Sequence, residues 1–196
     1  MKHLLLIRHG LPHEGHADAP GDPPLLPDGL GQAQRVAAAL AGAGIDRIYS
    51  STQRRAIETA LPLAQALGLP VSTLDGLCEV DRGTDRYRSV ETLRREEPAR
   101  WPDFVASPCR FFGRDPAAYA AEVRSAYELI LADPLGTQVA VFSHGMAIKT
   151  VLSLVLGLAE VPYSRFSVEH CSLTRLSGRR LQAMRIDSLN ERLSGG

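Results

Sequence analysis

Two short apolar runs of this sequence end in the same chemistry. Leu4 to Ile7 leads straight into Arg8, His9 and Gly10, and Val139 to Phe142 leads into Ser143, His144 and Gly145. An apolar run of four is too short for a helix and suits a strand buried on both faces. In α/β sheets ligands collect beyond the carboxyl ends of such strands, where helix N-termini direct unpaired amides. The spacing therefore predicts two histidines facing one pocket from strands far apart in sequence. Gly10 and Gly145 are the residue type needed where a backbone turns sharply or must come close to a ligand.

A third strand-like run, Arg47 to Tyr49, delivers SSTQRRAIETA, so Arg55 should project from the first turn of the helix behind it. Arg8 and Arg55 then set two planar forks beside two imidazoles. That set fits a dianionic phosphoryl group, because a guanidinium binds such oxygens bidentately and keeps its charge in any environment. An imidazole beside two cations is held neutral and can serve as a nucleophile. The competing reading of these residues is a set of polar groups satisfied within a core. His3 and His170 read as hydrogen-bonded structural histidines. His13, Glu14, His16 and Asp18 have the chemistry of metal ligands but not the spacing of a zinc helix, and their segment is loop-like, so they read as lining an entrance or facing solvent.

The elements that must position these residues alternate. After the first strand, Pro12 to Pro27 is rich in Pro, Gly, Asp and His and reads as a loop. Asp28 is placed to cap a helix whose apolar face is Ala33, Val36, Ala37 and Leu40, stopped by Gly42 and Gly44. Ser51 or Thr52 is placed to cap the helix presenting Ala56, Ile57, Ala60, Leu63 and Leu67, with Pro62 a kink within it and Gly68 its end. Val71 to Leu74 reads as a strand. Glu79 to Arg110 is a charged excursion with a helical centre from Val90 to Glu97, and Ala117 to Ala132 is a helix. A helix from Met146 to Leu156 follows the second histidine. Arg165 to Leu176 and Arg180 to Ile186 alternate around Ser177 and Gly178, a hairpin signal. These elements predict an α/β fold, a three-layer sandwich with a largely parallel central sheet flanked by helices and a C-terminal hairpin.

Composition bounds the partners. The 196 residues are of ordinary globular make-up, 44% hydrophobic and 22% charged, which fits one domain over residues 1–196. Twenty-two Lys and Arg balance twenty-two Asp and Glu, so no overall basic field draws nucleic acid or an anionic membrane, and an anion must be bound by a local cluster. Cys78, Cys109 and Cys171 lack paired spacing and read as reduced, buried thiols, with neither a disulfide scaffold nor a structural zinc. No run approaches a membrane span or a signal peptide. The expected setting is cytoplasmic.

LLLIRHG with the later VFSHG resembles the histidine phosphatase superfamily, in its phosphoglycerate-mutase-like branch. The likeness extends in order along nearly the whole chain through PLLPDGLGQA, IYSSTQRRAIETA, LCEVDRG and VAVFSHGMAIKTVL. It implies that His9 becomes phosphorylated, that Arg8 and Arg55 bind the phosphate, that His144 binds phosphoryl oxygens, and that Glu79 protonates the leaving group. Without the resemblance Glu79 is one acid among several in a charged excursion and reads as a solvated surface carboxylate. The implied activity is hydrolysis of small phosphomonoesters through phosphohistidine, needing no metal and no cofactor. Transfer back to substrate, as in a mutase, and a catalytically weak phosphate-binding module are the alternatives, with the mutase disfavoured by the longer chains familiar in mutases of this type. Leu26 stands where the family has threonine, and Leu11 with Pro12 where it has polar residues, which affects the substrate more than the phosphohistidine core. The loop from Leu11 to Pro24 and the excursion at about 79–115, with Tyr87, Trp101, Phe104, Phe111 and Phe112, are expected to roof the pocket.

Overall fold

Strand β1 (Lys2–Arg8) sends Leu4 and Leu6 into one apolar core and Leu5 and Ile7 into another, because successive side chains of a strand face opposite sides. The strand Gln138–Ser143 divides Val139 and Val141 from Ala140 and Phe142 in the same way. Two strands apolar on both faces belong in the middle of a covered sheet. The computed structural model, which describes residues 1–158 and 165–193, places them there. With β2 at Arg47–Ser50, β3 at Val71–Thr73, β4 at Gln138–Ser143, β5 at Leu173–Gly178 and β6 at Arg185–Glu191, the sheet has the order β3-β2-β4-β1-β5-β6. β1 to β4 are parallel, whereas β5 and β6 extend the sheet antiparallel. Residues 159–164 and 194–196 of the expected 1–196 unit lie outside the described residues.

The helices are α1 (Pro27–Leu40), α2 (Arg54–Leu67), α3 (Val90–Glu96), α4 (Trp101–Ala106), α5 (Pro108–Phe111), α6 (Pro116–Ala132) and α7 (Gly145–Val155). α1 and α2 pack Val36, Leu40, Ala60 and Leu63 on one face of the sheet, and α6 and α7 pack Val123, Tyr127, Ile148 and Val151 on the other. This is the expected three-layer α/β sandwich. The three cysteines are free and buried. Among the described residues no helix is long and apolar enough to cross a membrane.

Three local expectations are corrected. Asp28 does not cap α1: Pro27 takes the first helical position, where it has no donor to satisfy, so the cap is Leu26 and carries no side-chain bond. Neither Ser51 nor Thr52 caps α2, whose N-cap is Gln53. The Arg54 N–H is instead met from outside by both carboxylate oxygens of Asp22, each at 3.0 Å. The hairpin is shifted toward the C-terminus. Cys171 has a φ of 54°, which cannot continue a strand, so β5 begins at Leu173 rather than Arg165. Ser177 and Gly178 end β5 instead of forming the turn, and the connection runs through a 3-10 turn at Leu181–Ala183 because Leu181 and Met184 are buried in the core.

The excursion after β3 makes its own small aromatic cluster. Trp101 stacks on Phe104 at 5.3 Å between ring centres, and Phe111 meets Phe104 and Phe112 edge to face. The loop of residues 11–24 is tied to this excursion through Tyr87 N–H to the Pro20 carbonyl and Ser89 N–H to Glu14.

Candidate active site

The register of the two central strands brings the histidines together. Arg8 pairs with Ser143 across parallel β1 and β4, and the His9 N–H continues the ladder to the Ser143 carbonyl at 2.9 Å. His9 and His144 therefore leave the sheet at the same level, with ring centres 4.9 Å apart. Gly10 allows the chain after His9 to lie against α1, since a Cβ there would meet the Gly29 carbonyl oxygen at 2.7 Å. Its requirement is close approach of two backbones.

A hydrogen bond assigns the tautomer of His9. Nδ1 of His9 lies 2.8 Å from the Gly10 carbonyl, which can only accept, so Nδ1 carries the proton. Nε2 keeps its lone pair, on a ring that lines a cavity of about 90 Å³. Ser51 Oγ accepts the Gln53 N–H at 3.2 Å and lies 2.6 Å from Nε2 of His144. A hydroxyl can give its proton or accept a second bond; when Ser51 donates to Nε2, Nδ1 of His144 carries the proton and is the N–H donor. Both rings are buried, and desolvation, joined by Arg55 and Arg8, holds both well below the ordinary histidine pKa. They are neutral at working pH, as a nitrogen nucleophile must be.

The arginines lie where the sequence predicts. Arg8 ends β1 and donates from Nη1 to the Val168 carbonyl at 2.7 Å. Arg55 is the second residue of α2 and wholly buried. Its Nη2 donates to Asp81 at 3.1 Å, Nη1 lies 3.5 Å from Asp22, and its guanidinium sits 4.8 Å from the centre of the Tyr87 ring. These contacts fix the orientation of the fork. Among the described residues eight buried side-chain atoms lack a hydrogen-bond partner, and four of them, Arg8 Nε, Arg55 Nε, His144 Nδ1 and His170 Nε2, belong to side chains grouped at His9. Buried donors are usually paired. Orphans on side chains grouped around one ring are what a polyvalent acceptor would satisfy.

Glu79 is not a solvated surface acid. It lines the cavity, and its carboxylate accepts from the Met146 N–H, at 3.0 and 3.2 Å, at the start of α7. Burial and then the neighbouring Asp81 push its pKa up, against the backbone amides that favour the anion. Gly145, the first residue of α7, lies beside both Arg8 and Glu79: a Cβ there would stand 3.6 Å from Arg8 Nε and 3.7 Å from Glu79 Oε2. The excursion contributes Tyr87, Val90, Leu93, Phe104 and Phe112 to the lining of the cavity.

Several members escape a reading of the sequence. Asp81 orients Arg55, Ser51 Oγ meets His144 Nε2 at 2.6 Å, and Gln53 accepts the Glu79 N–H at 2.6 Å and reaches Asp81 at 3.4 Å. SST and CEVD are the only signal for them, and their hydroxyl and carboxylate roles depend on the fold. His170, expected to be structural, has its ring centre 5.3 Å from that of His9. No residue of the loop 11–24 lines this cavity or the larger one of about 570 Å³ beside it, although Asp22 reaches Arg55. His13 and His16 meet edge to face, Glu14 is taken up by Ser89, and among the described residues no three His, Cys, Asp or Glu converge as metal ligands would.

The family model described as "Histidine phosphatase superfamily (branch 1)" matches residues 4–192. A protein of Proteus mirabilis named "Probable phosphoglycerate mutase GpmB" is 32% identical over 182 residues, covering 90% of this chain and 85% of its own. The solved phosphoserine phosphatase of Entamoeba histolytica, in complex with phosphoserine, is 27% identical with a TM-score of 0.75 over 97% of this chain and 98% of that one. A mycobacterial glucosyl-3-phosphoglycerate phosphatase complexed with VO3 superimposes with a TM-score of 0.80 at 23% identity, over 98% of this chain and all of the other, a likeness of fold.

Proposed function

The chain belongs to the histidine phosphatase superfamily, and from that premise we propose that it hydrolyses small phosphomonoesters by double displacement through a phosphohistidine at His9. The observation that carries this reading is the cluster at His9: a neutral imidazole with a free Nε2 lone pair, beside a second neutral histidine and two arginines whose Nε atoms are buried and unpaired. His9 Nε2 attacks phosphorus in line with the departing oxygen. Arg8, Arg55 and the Nδ1–H of His144 hold the equatorial oxygens, where negative charge spreads in the transition state. The guanidiniums supply the positive charge that a metal ion supplies to other phosphoryl transfers, so the scheme needs neither metal nor cofactor.

Glu79 is the general acid. Its raised pKa keeps a proton available for the departing alkoxide, and the resulting carboxylate then takes a proton from the water that cleaves phosphohistidine. The excursion at about 79–115 forms the roof of the site in a single catalytic domain. Its apolar side chains in the cavity suit exclusion of competing water. The three free buried cysteines suit the reducing cytoplasm. Return of the phosphoryl group to a substrate hydroxyl, mutase chemistry, is the second reading, favoured by the name of the Proteus relative.

Rapid mixing with a radiolabelled phosphomonoester tests the scheme. It should trap an acid-labile, base-stable adduct on His9, absent in His9→Ala, with inorganic phosphate as the product. An adduct elsewhere would refute the nucleophile, and an isomerised phosphomonoester in place of inorganic phosphate would favour the mutase.

A further inference from the structure

His170 has no part in the reaction described above, yet it is held against the nucleophile. The segment bearing it is fixed at both ends beneath the end of β1: Arg8 Nη1 binds the Val168 carbonyl at 2.7 Å, and the Cys171 N–H binds the Arg8 carbonyl at 3.0 Å. Cys171 turns the chain with a φ of 54°, a conformation unfavourable for a residue with a side chain and kept where the surroundings impose it. Without that turn His170 would continue an extended run toward β5. With it, the His170 ring lies 5.3 Å from that of His9, at an interplanar angle of 52°. The ring lines the 570 Å³ cavity, which shares Arg8, Tyr87 and Lys149 with the smaller cavity over His9.

Nε2 of His170 is buried without a hydrogen-bond partner, as are Nε of Arg8, Nε of Arg55 and Nδ1 of His144. Resting on the phosphohistidine reading, we propose that His170 is a further catalytic residue, whose Nε2–H donates to a phosphoryl oxygen as the group moves on to and off His9. A neutral imidazole carries one N–H. If it sat on Nδ1, the Nε2 lone pair would face any phosphoryl oxygen repulsively, so an incoming phosphoryl group selects the tautomer that donates. Burial, with Arg8 and Arg55, keeps the ring uncharged down to about pH 3, so it contributes a directed dipole and leaves the net charge to the arginines.

The test uses the full chain with vanadate and phenyl phosphate as probes. His170→Ala should weaken vanadate inhibition and lower kcat/KM by about ten- to a hundredfold, chiefly through kcat, as loss of one preorganised donor does. His170→Asn, which keeps an N–H, should recover much of the loss. In ¹⁵N-labelled wild type, vanadate should bring out an exchange-protected Nε2–H signal from His170, a change that a packing role would not produce. Ala and Asn variants both within twofold of wild type would overturn the proposal, as would equal impairment of both with no new signal. If His170→Ala does not fold, His170→Asn and the wild-type spectrum decide. A wild type that neither binds vanadate nor turns over a phosphomonoester would remove the phosphatase reading itself, and the inference with it.

Discussion

Replacing Gly145 by alanine separates a binding role from a structural one, because the two predict opposite changes. Gly145 has no left-handed φ, and the nearest heavy atoms to an added Cβ are Arg8 Nε at 3.6 Å, Arg8 Cζ at 3.7 Å and Glu79 Oε2 at 3.7 Å. These are ordinary contacts. The methyl therefore enters the free protein without strain, and at the start of α7 it should stabilise by about 0.5–1 kcal/mol through reduced backbone freedom of the unfolded chain. At about 2–4 °C per kcal/mol for a chain of this size, Tm should rise by about 1–4 °C. The same methyl stands beside the Arg8 guanidinium and the Glu79 carboxylate, where the proposed reaction puts phosphorus and the departing oxygen. A displacement of about 1 Å there costs on the order of a hundredfold, so kcat/KM should fall by about that factor and vanadate should protect the variant less against heat. Thermal melts with and without vanadate, together with steady-state kinetics, measure all three. Undiminished kcat/KM would show that no ligand passes between Arg8 and Glu79. A Tm lowered by several degrees would show that the space above Gly145 is not there.

Two further outcomes follow from ionisation. Glu79→Gln removes the transferable proton but keeps the shape, so turnover of alkyl phosphates should drop far more than that of an activated aryl phosphate, whose leaving group needs little protonation; equal losses would make Glu79 a binding or structural residue. Burial holds His9, His144 and His170 below the 6.5 of the unfolded chain, so below that pH unfolding takes up protons and these histidines make stability fall with acidification, each by at most about 1.4 kcal/mol per pH unit. Glu79, shifted upward from 4.5, acts oppositely: its contribution is full below 4.5 and is lost as pH rises through its folded value. Three groups outweigh one, so urea midpoints should decline from pH 6.5 to 4.5 and His170→Asn should make the decline shallower. Stability that grew over this interval would show the histidines to be charged in the fold.

The part of the site legible in the sequence is the part made by short-range pattern. A buried strand announces itself by an unbroken apolar run, and whatever polar residue ends it is aimed beyond the sheet, which is why Arg8, His9 and His144 could be placed together. Arg55 was legible because one helical turn fixes its position relative to the strand before it. Glu79 was legible only through the family likeness, since its depth depends on the start of α7, 66 residues further on, as the bond from Met146 shows. His170 reads as structural in the sequence because its nearness to His9 depends on the left-handed Cys171 and on a bond to the Arg8 carbonyl, neither of which has a local signal. The cap of α2 is hidden in the sequence for the same reason: the group serving its first N–H is Asp22, supplied by a loop 32 residues earlier.

Asp81 shows why such long-range members matter to the proposed chemistry. Arg55 is wholly buried, and a buried cation needs a partner to remain in place. The Asp81 carboxylate provides it through Nη2 at 3.1 Å, while Nε is left unpaired for the phosphoryl group. Were Asp81 to take the whole fork, the dianion would have to displace it. By holding one nitrogen only, Asp81 orients the guanidinium and leaves it able to bind. The same negative charge adds to burial in raising the pKa of Glu79. In the proposed reaction one carboxylate thus acts on both sides of the transferring group, steadying the cation that receives the phosphoryl charge and keeping a proton on the acid that releases the alcohol.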